Sequence, residues 1–506
     1  MKKKYIPDIL CAVVLLAQLL AEIWTAVAVL RLNMLPEKYT AVLIAGLVMF
    51  FLLTGMLMFL RFKKPVGVVR RIIACVLALG VICGCAIGTK LASDAYETMH
   101  KVTQTQPPTD ANNMYILVRE HDPAQTLADA ADYSFATLDG YEQGYKDKIS
   151  AIIRETTGSP VKMLQYTTSQ MLASMLLQEN VDAIVITGAG MALLLEDEAY
   201  ADMEQSIRIL YCVPLGQLKD TEETVPPETT EPPVTGDPIT REPFVIYISG
   251  SDTRSSKLNV SRSDVNILAV VNPTTKQVLL LNTPRDYYVP NPAGDGKLDK
   301  LTHCGLYGTS CSMEALGNLY DLKIDYYAQI NFTGFETLVD AVGGVTVYSD
   351  LAYKAQDTYI QKGENYLDGE GALDFARERY NMPGGDRGRG KNQMKVIAAL
   401  VGKMTSGTTI ISNYSKILDS LEGMFKTNVS IEQIGDLVRM QLTDMASWNV
   451  QSYAVSGAGG SEHTYSAPGV YQYVMYMDEA MIAHGSRLAQ MVVEGKILTA
   501  EDVKYS

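Results

Sequence analysis

The chain has 506 residues, too many for one ordinary domain, and 47% of them are hydrophobic, enough for more than one core. Its formal net charge of -14 excludes the broad basic surface that grips a phosphate backbone, so nucleic acid is not an expected partner. Any anion-binding site must be local.

Three apolar runs open the sequence, Ile9 to Leu30, Tyr39 to Leu60 and Ile72 to Thr89, each close to the ~20 residues a helix needs to cross a bilayer. Three in succession do not fit a cleaved signal peptide. Glu22 within the first run leaves a second reading open, a helix packed inside a bundle. Lys2, Lys3 and Lys4 precede the first run, and Arg61, Lys63, Lys64, Arg70 and Arg71 fill the second loop, whereas the first loop has only Arg31 and Lys38. The positive-inside rule then places the amino terminus in the cytoplasm and everything after Thr89 outside. The expected division is a membrane anchor over 1–90, a linker over 91–112, a small α/β accessory domain over 113–215, a second linker over 216–241 and a larger domain over 242–506.

In the accessory region "NMYILV", "PVKMLQY", "VDAIVIT" and "IRILYCV" read as strands, and "DGYEQGYKDKISAIIRETTG" and "TSQMLASMLLQEN" as helices. This alternation predicts a largely parallel sheet. "ATLDGYEQGYKDKISAII" loosely resembles one lobe of an extracytoplasmic solute-binding domain, and the region holds no catalytic constellation. "DTEETVPPETTEPPVTGDP", rich in Pro, Thr and Glu, reads as an extended spacer.

From Pro243 onward charge gathers at element ends. "FVIYISGSDTR" is a strand followed by Asp252 and Arg254. "SRSDVNILAVVNPTTKQVLLLNTPRDYYV" reads as a hairpin turning at Asn272, Pro273 and Thr274. Pairing Val271 with Gln277 puts Asp264 opposite Pro284, which brings Arg262, Asp264, Arg285 and Asp286 to the open end. Asp368 suits the N-cap of a short helix through "GEGALDF". On an extended segment after it, Arg377 and Arg379 share a face and could grip phosphate oxygens as a pair. The alternative is a solvated charged strand, because Glu378 lies between them.

Arg262, Arg285, Lys300, Arg377, Arg379 and Arg389 are then the candidate cations, and Asp252 and Asp264 the carboxylates available to a hard divalent ion, the layout that recurs in phosphoryl transfer. No Walker-type GxxxxGK[ST] loop is present, which argues against a nucleotide substrate. Cys304 and Cys311 could pair in an oxidising exterior or stay reduced. His303 suits a structural hydrogen bond, "NFTGFETLVDAVGGVTV" a packed core or the lining of a lipid channel, and the Tyr-rich tail a strand and a closing helix.

"GSDTR", "SRSDVNILAVVNP", "NTPRDYYV", "KLTHCGLYG", "NFTGFETLVDAVGGVTV" and "LDGEGALDFARERY...GDRGRGKNQ" resemble, in order, the motifs of the LytR-CpsA-Psr family of cell-envelope proteins, over a motif core from 244 to 400. The resemblance implies an extracellular α/β/α sandwich behind a plasma-membrane anchor. It implies transfer of a phosphoglycan from a polyprenyl-pyrophosphate carrier to a peptidoglycan hydroxyl, with possible pyrophosphatase chemistry on the carrier. Asp252 and Asp264 would hold Mg²⁺, and Arg262, Arg285, Lys300, Arg377, Arg379, Arg389 and Gln393 would meet the lipid pyrophosphate. The family pattern D-x-G-R-x-x-R-Q stands here from Asp386 to Gln393 with Asn392 in place of an arginine. That departure, with the accessory domain, keeps open a non-catalytic receptor for lipid-linked pyrophosphate glycans.

Overall fold

An apolar run with no partner strand can satisfy its backbone in hydrocarbon only as a helix. The computed structural model describes residues 6–59, 66–102, 110–218, 239–251, 262–381, 385–406, 417 and 424–504. Its first elements are helices α1 (Ile6–Leu32), α2 (Glu37–Phe59) and α3 (Val66–Val102). The segments Asp8–Leu32, Glu37–Phe59 and Val68–Met99 are each long and apolar enough to cross a membrane. α3 runs on past Thr89, so the stretch expected as the first linker begins as helix. Glu22 is buried in the bundle: Gln18 Nε2 donates to Glu22 Oε1 at 2.8 Å and Thr54 Oγ1 donates to Gln18 Oε1 at 2.8 Å, tying α1 to α2. Met34, in the loop after α1, packs with Ala95 and Met99 against Ile431, Ile434 and Val438 of the last domain. Arg439 donates to Asn33 Oδ1 in the same contact. That loop and the last domain therefore share one side of the anchor.

The accessory domain contains β1 (Asn113–Arg119), β2 (Ser134–Leu138), α4 (Gln143–Thr157), β3 (Lys162–Tyr166), α5 (Ser169–Leu177), β4 (Ala183–Thr187), α6 (Gly188–Leu195) and β5 (Ile207–Pro214), in sheet order β3-β2-β4-β1-β5. β2 is parallel to β3 and β4, but β1 is antiparallel to both β4 and β5. The expectation of a largely parallel sheet is corrected here. β4 and β5, joined by the crossover through α6, lie on either side of β1, which runs against both. β2 itself, "SFATL", is not among the expected strands, because a strand buried along nearly its whole length shows no alternation.

The last domain is an α/β/α sandwich. In chain order it comprises β6 (Phe244–Ser251), β7 (Val265–Asn272), β8 (Gln277–Asn282), β9 (Tyr288–Asn291), β10 (Lys297–Lys300), α7 (Leu301–Cys304), α8 (Thr309–Tyr320), β11 (Tyr326–Asn331), α9 (Phe332–Ala341) and the short strands β12 (Val345–Ser349), β13 (Tyr353–Ala355), β14 (Thr358–Ile360) and β15 (Gly363–Leu367). Then follow α10 (Gly369–Arg377), α11 (Gly385–Thr405), β16 (Phe425–Thr427), α12 (Ile431–Asp444), β17 (Asn449–Ala454), β18 (Gly457–Thr464), β19 (Ala467–Met477) and α13 (Glu479–Val493). The central sheet runs β16-β11-β6-β7-β8-β17. Alternation along its strands sends Tyr247, Leu268, Val270, Leu279 and Leu281 to one face, against α8 and α13. It sends Ile267, Ala269, Val271 and Leu280 to the other, against Met394 of α11 and Ile434 and Leu437 of α12. Val339, Val342, Val345 and Val347 of "NFTGFETLVDAVGGVTV" pack into a third core with Phe375 and Leu400, so this stretch is core. The tail forms a hairpin, β18 with β19, before α13 closes the fold.

The β7–β8 register differs from the expected one by one residue. Asn272 faces Gln277 and Val271 faces Val278. Asn272 Oδ1 accepts the backbone N–H groups of Thr274 and Thr275, each at 3.1 Å, and Lys276 takes φ 52° to complete a wider turn. The shift puts Arg285, not Pro284, opposite Asp264.

The accessory and last domains share a core. Ala189 of α6 belongs to the cluster around Leu306 and Tyr307, and Leu193 packs on it. Gly469 passes so close to the accessory domain that a Cβ there would stand 1.5 Å from the Thr167 carbonyl oxygen. Lys297 pairs with Glu142 across the same boundary.

Candidate anion-binding site

The site is built where the β7–β8 hairpin opens. The ladder continues past β8 through Thr283 N–H to the Asn266 carbonyl at 2.9 Å, which carries Arg285 across from Asp264. Arg285 Nη1 lies 2.6 Å from Asp264 Oδ1, with side chains 20% and 10% exposed. Thr302 Oγ1 donates to the same oxygen at 3.4 Å, and Thr302 N–H is held by the Arg285 carbonyl at 2.8 Å. Lys300 Nζ reaches Asp286 Oδ1 at 2.5 Å, and Arg285 Nε stands 3.7 Å from Asp286 Oδ2. The structure brings Arg262, Asp264, Arg285 and Asp286 to this end, as the hairpin spacing led one to expect, and adds Lys300 to them. Asp252 lies outside the described residues.

α11 approaches the same end. Gly390 lies against β8 so closely that a Cβ there would meet Asn282 Oδ1 at 2.1 Å. The first turns of α11, carrying Arg387 and Arg389, therefore sit near the segment that leads to Arg285. Burial pushes the Tyr287 phenol up, and the charge of Arg387 acts on it in the opposite direction. Arg387 Nε is buried with no hydrogen-bond partner among the described residues, an unusual position for a guanidinium and one that an anion would relieve. A helix amino terminus adds its own unpaired N–H groups and positive field. Sequence reasoning passed over Arg387. Its signal was its position between Asp386 and Arg389 in the last motif.

Arg377 and Arg379 are held separately. Asp368 caps α10 as expected, accepting from Gly371 N at 3.0 Å, but the helix continues two residues beyond Phe375 and ends at Arg377. Glu378 turns the chain by accepting the N–H groups of Tyr380 at 2.6 Å and Asn381 at 2.9 Å. Burial opposes ionisation of Glu378, yet these bonds hold its carboxyl below the usual range. Arg377 lies 4.5 Å over the Phe332 ring and Arg379 4.7 Å over the Tyr380 ring. The extended reading therefore applies only from Glu378 onward. Arg389 and Gln393 are half-buried on one face of α11.

Asn392 faces inward. Its Nδ2 donates to the Phe375 carbonyl at 2.9 Å and the Tyr353 hydroxyl at 3.0 Å, and the residue is 1% exposed. It ties α11 to α10 and β13. His303 is likewise structural: its Nδ1 meets Asp299 Oδ1 at 2.6 Å, and Asn291 and Ser466 donate to Asp299 Oδ2. Burial works against the Asp299 carboxylate, but the His303 charge and these bonds outweigh it and hold the carboxyl below its usual range. Cys304 and Cys311 are buried free thiols in contact with each other.

One carboxylate comes from outside the domain. Glu196, the residue after α6, places Oε2 2.5 Å from Arg262 Nε, with both side chains about one-third exposed (30% and 31%). Arg262 Nε has no hydrogen-bond partner among the described residues, so the side-chain contact is an ion pair, and the Arg262 main-chain N–H also steadies the Glu196 carboxylate. Burial raises the Glu196 carboxyl; Arg262 pulls it down and Asp264 pushes it up. Nothing in the sequence linked Glu196 to this site.

Among the described residues no group of three or more His, Cys, Asp or Glu side chains forms a metal cage. Mg²⁺ commonly takes only one or two carboxylates and fills its shell with phosphate oxygens and water. Asp264, beside the arginines, suits that mode.

Residues 216–481, more than half of the chain, match the LytR_cpsA_psr family. The polyisoprenyl-teichoic acid–peptidoglycan teichoic acid transferase TagU of Enterococcus faecalis is 40% identical over 197 residues, covering 38% of this chain and 64% of the relative. The TagU of Bacillus cereus is 32% identical over 240 residues, covering 47% of this chain and 75% of the relative. The crystal structure of Bacillus subtilis TagV aligns at 26% identity and a TM-score of 0.42, over 50% of this chain and 98% of that one. The chain thus spans less than two thirds of the length of the Enterococcus relative.

Proposed function

Since the chain belongs to the LytR-CpsA-Psr family, we propose that it is a membrane-anchored phosphotransferase, moving a phosphoglycan from a polyprenyl-pyrophosphate carrier to a hydroxyl of peptidoglycan in cell-wall assembly. The observation that carries this reading is the arrangement of Arg285, Lys300 and Arg262 at the open end of the hairpin, with Arg387 Nε, buried and without a hydrogen-bond partner among the described residues, at the first turns of α11. These cations would hold the pyrophosphate. The acceptor oxygen attacks the phosphorus nearer the sugar, the bridging P–O bond breaks, the polyprenyl phosphate leaves with the electron pair, and the hydroxyl proton passes to solvent or a base. The arginines neutralise charge on the departing oxygen, where preorganised donors contribute most. Asp264, with Asp252, would hold Mg²⁺, which supplies further charge neutralisation at the phosphates.

Transfer of this kind requires the last domain to lie outside the cell. The basic second loop supports that orientation, as does the packing of the first loop against α12. Purified full-length protein in detergent, given an undecaprenyl-pyrophosphate-linked glycan and peptidoglycan, is expected to yield a phosphodiester-linked product by mass spectrometry, with loss of product in chelator and recovery with Mg²⁺. Binding of the lipid with no product under any divalent ion would replace the transferase by a receptor. Release of free glycan phosphate without acceptor would make it a pyrophosphatase.

A further inference from the structure

The accessory domain does more than sit beside the site: it extends a negative charge into it. Glu196 follows the last residue of α6, and α6 is anchored in the core of the last domain through Ala189 and Leu193. The boundary is closed on its far side by Gly469 against Thr167 and by Lys297 with Glu142. These contacts hold Glu196 at the site from the accessory side of the boundary. It stands 2.5 Å from Arg262 Nε, a nitrogen with no hydrogen-bond partner among the described residues. The Arg262 main-chain N–H also steadies the Glu196 carboxylate, so the negative charge is held beside the Arg262 guanidinium.

We infer that Glu196 is a specificity determinant, a fixed carboxylate that makes the site favour a pyrophosphate substituted at both ends over one substituted only at the lipid end. The inference rests on the reading of Arg262 as a pyrophosphate ligand. A doubly substituted pyrophosphate carries about two negative charges at neutral pH, and a lipid pyrophosphate with a free terminal phosphate carries about one more, because its last proton leaves near pH 6. The extra charge lies on the terminal phosphate, and a carboxylate beside Arg262 repels it while costing the doubly substituted ligand less. The consequence is a site that passes over unloaded carrier lipid and takes the carrier bearing its glycan.

The test uses the full-length protein in detergent and two probes, geranylgeranyl pyrophosphate and the same lipid pyrophosphate capped with N-acetylglucosamine, with affinities measured by calorimetry and folding followed by thermal unfolding. Wild type is expected to favour the capped probe. Glu196→Gln should bind the uncapped probe better and shrink the preference by about fivefold to tenfold, the size of one partly screened charge contact. Glu196→Asp, which keeps the charge but withdraws it by one methylene, should restore part of the preference. An unchanged preference in a folded Glu196→Gln, or weaker binding of both probes, overturns the inference, and the second result would make Glu196 a residue that positions Arg262. Should Glu196→Gln not fold, equal affinity of wild type for the two probes overturns the inference on its own. Arg262→Gln separates the two readings. If it leaves both affinities unchanged, Arg262 is not a pyrophosphate ligand and the inference falls with that assignment. If it weakens both while Glu196→Gln changes nothing, the phosphate site stands and only the role of Glu196 fails.

Discussion

Among the described residues, the accessory and last domains each have a mixed sheet flanked by helices, and the sheet of the last domain ends in a cluster of charge. At the end of β4 in the accessory domain, Thr187 Oγ1 accepts the Gly190 N–H at 3.1 Å, Tyr141 and Thr187 hydroxyls meet at 3.2 Å, and Thr187 N–H donates to Tyr141 at 3.0 Å. The helix end and strand end satisfy one another. At the open end of β7–β8, Arg285, Lys300 and Arg262 gather with Asp264, Asp286 and Glu196, and Arg387 keeps a buried Nε with no hydrogen-bond partner among the described residues. Architecture alone does not separate the two domains. What separates them is which one leaves polar groups waiting for a ligand.

The largest expected effect tests that contrast directly. Arg285 is the hub of the charged end, within reach of both Asp264 and Asp286. Arg285→Ala should lower transfer to peptidoglycan about a hundredfold or more, from the loss of about 2 to 4 kcal/mol of transition-state stabilisation. A variant that folds and transfers at the wild-type rate would show that the open hairpin end is not the reacting end.

Much of this contrast was legible in the sequence. The apolar runs marked the anchor, and the spacing of Arg262, Asp264, Arg285 and Asp286 around one hairpin brought them together before any coordinates. The register missed by one residue because the side chain of Asn272, not the backbone alone, sets the turn. The reversed β1 was hidden because strand direction depends on the connection and leaves no mark in a strand's own composition. Glu196 was invisible for a different reason. Its role comes from docking between domains, and it lies 66 residues before Arg262, the partner it meets. Asn392 looked like a lost cation because motif spacing gives order along the chain and not the face of α11 on which a side chain falls.

A second expected effect falls on stability. Asp299 is fully buried, bonded to His303, Asn291 and Ser466, and its carboxyl is held below the usual range. A depressed carboxyl contributes stability that is present above its unfolded value, near pH 4, and lost as pH falls through the folded value. Wild type should lose thermal stability on acidification below about pH 4, and Asp299→Asn should flatten that part of the profile. At neutral pH the same variant should cost about 3 kcal/mol by leaving His303 and Ser466 without their partner. Denaturant midpoints across pH would show this. A profile for Asp299→Asn that keeps the wild-type acid slope would assign that slope to other carboxyls.

The smallest effect belongs to the accessory domain. Thr168 caps α5 by accepting the Met171 N–H at 3.0 Å, so Thr168→Ala should destabilise by about 1 kcal/mol. The hydroxyl lies at the end of a helix that contributes no charge to the hairpin end, and α6, which carries Glu196 at its end, is capped independently by Thr187. Transfer should therefore continue at the wild-type rate at temperatures where the variant is folded, while its unfolding midpoint falls. If transfer fell in step with the loss of the cap, the accessory domain would be coupled to the chemistry through its internal order as well as through Glu196. The difference between the two sheets would then be one of degree, with both domains feeding one site. If transfer held, the coupling would be confined to the one carboxylate that crosses the boundary.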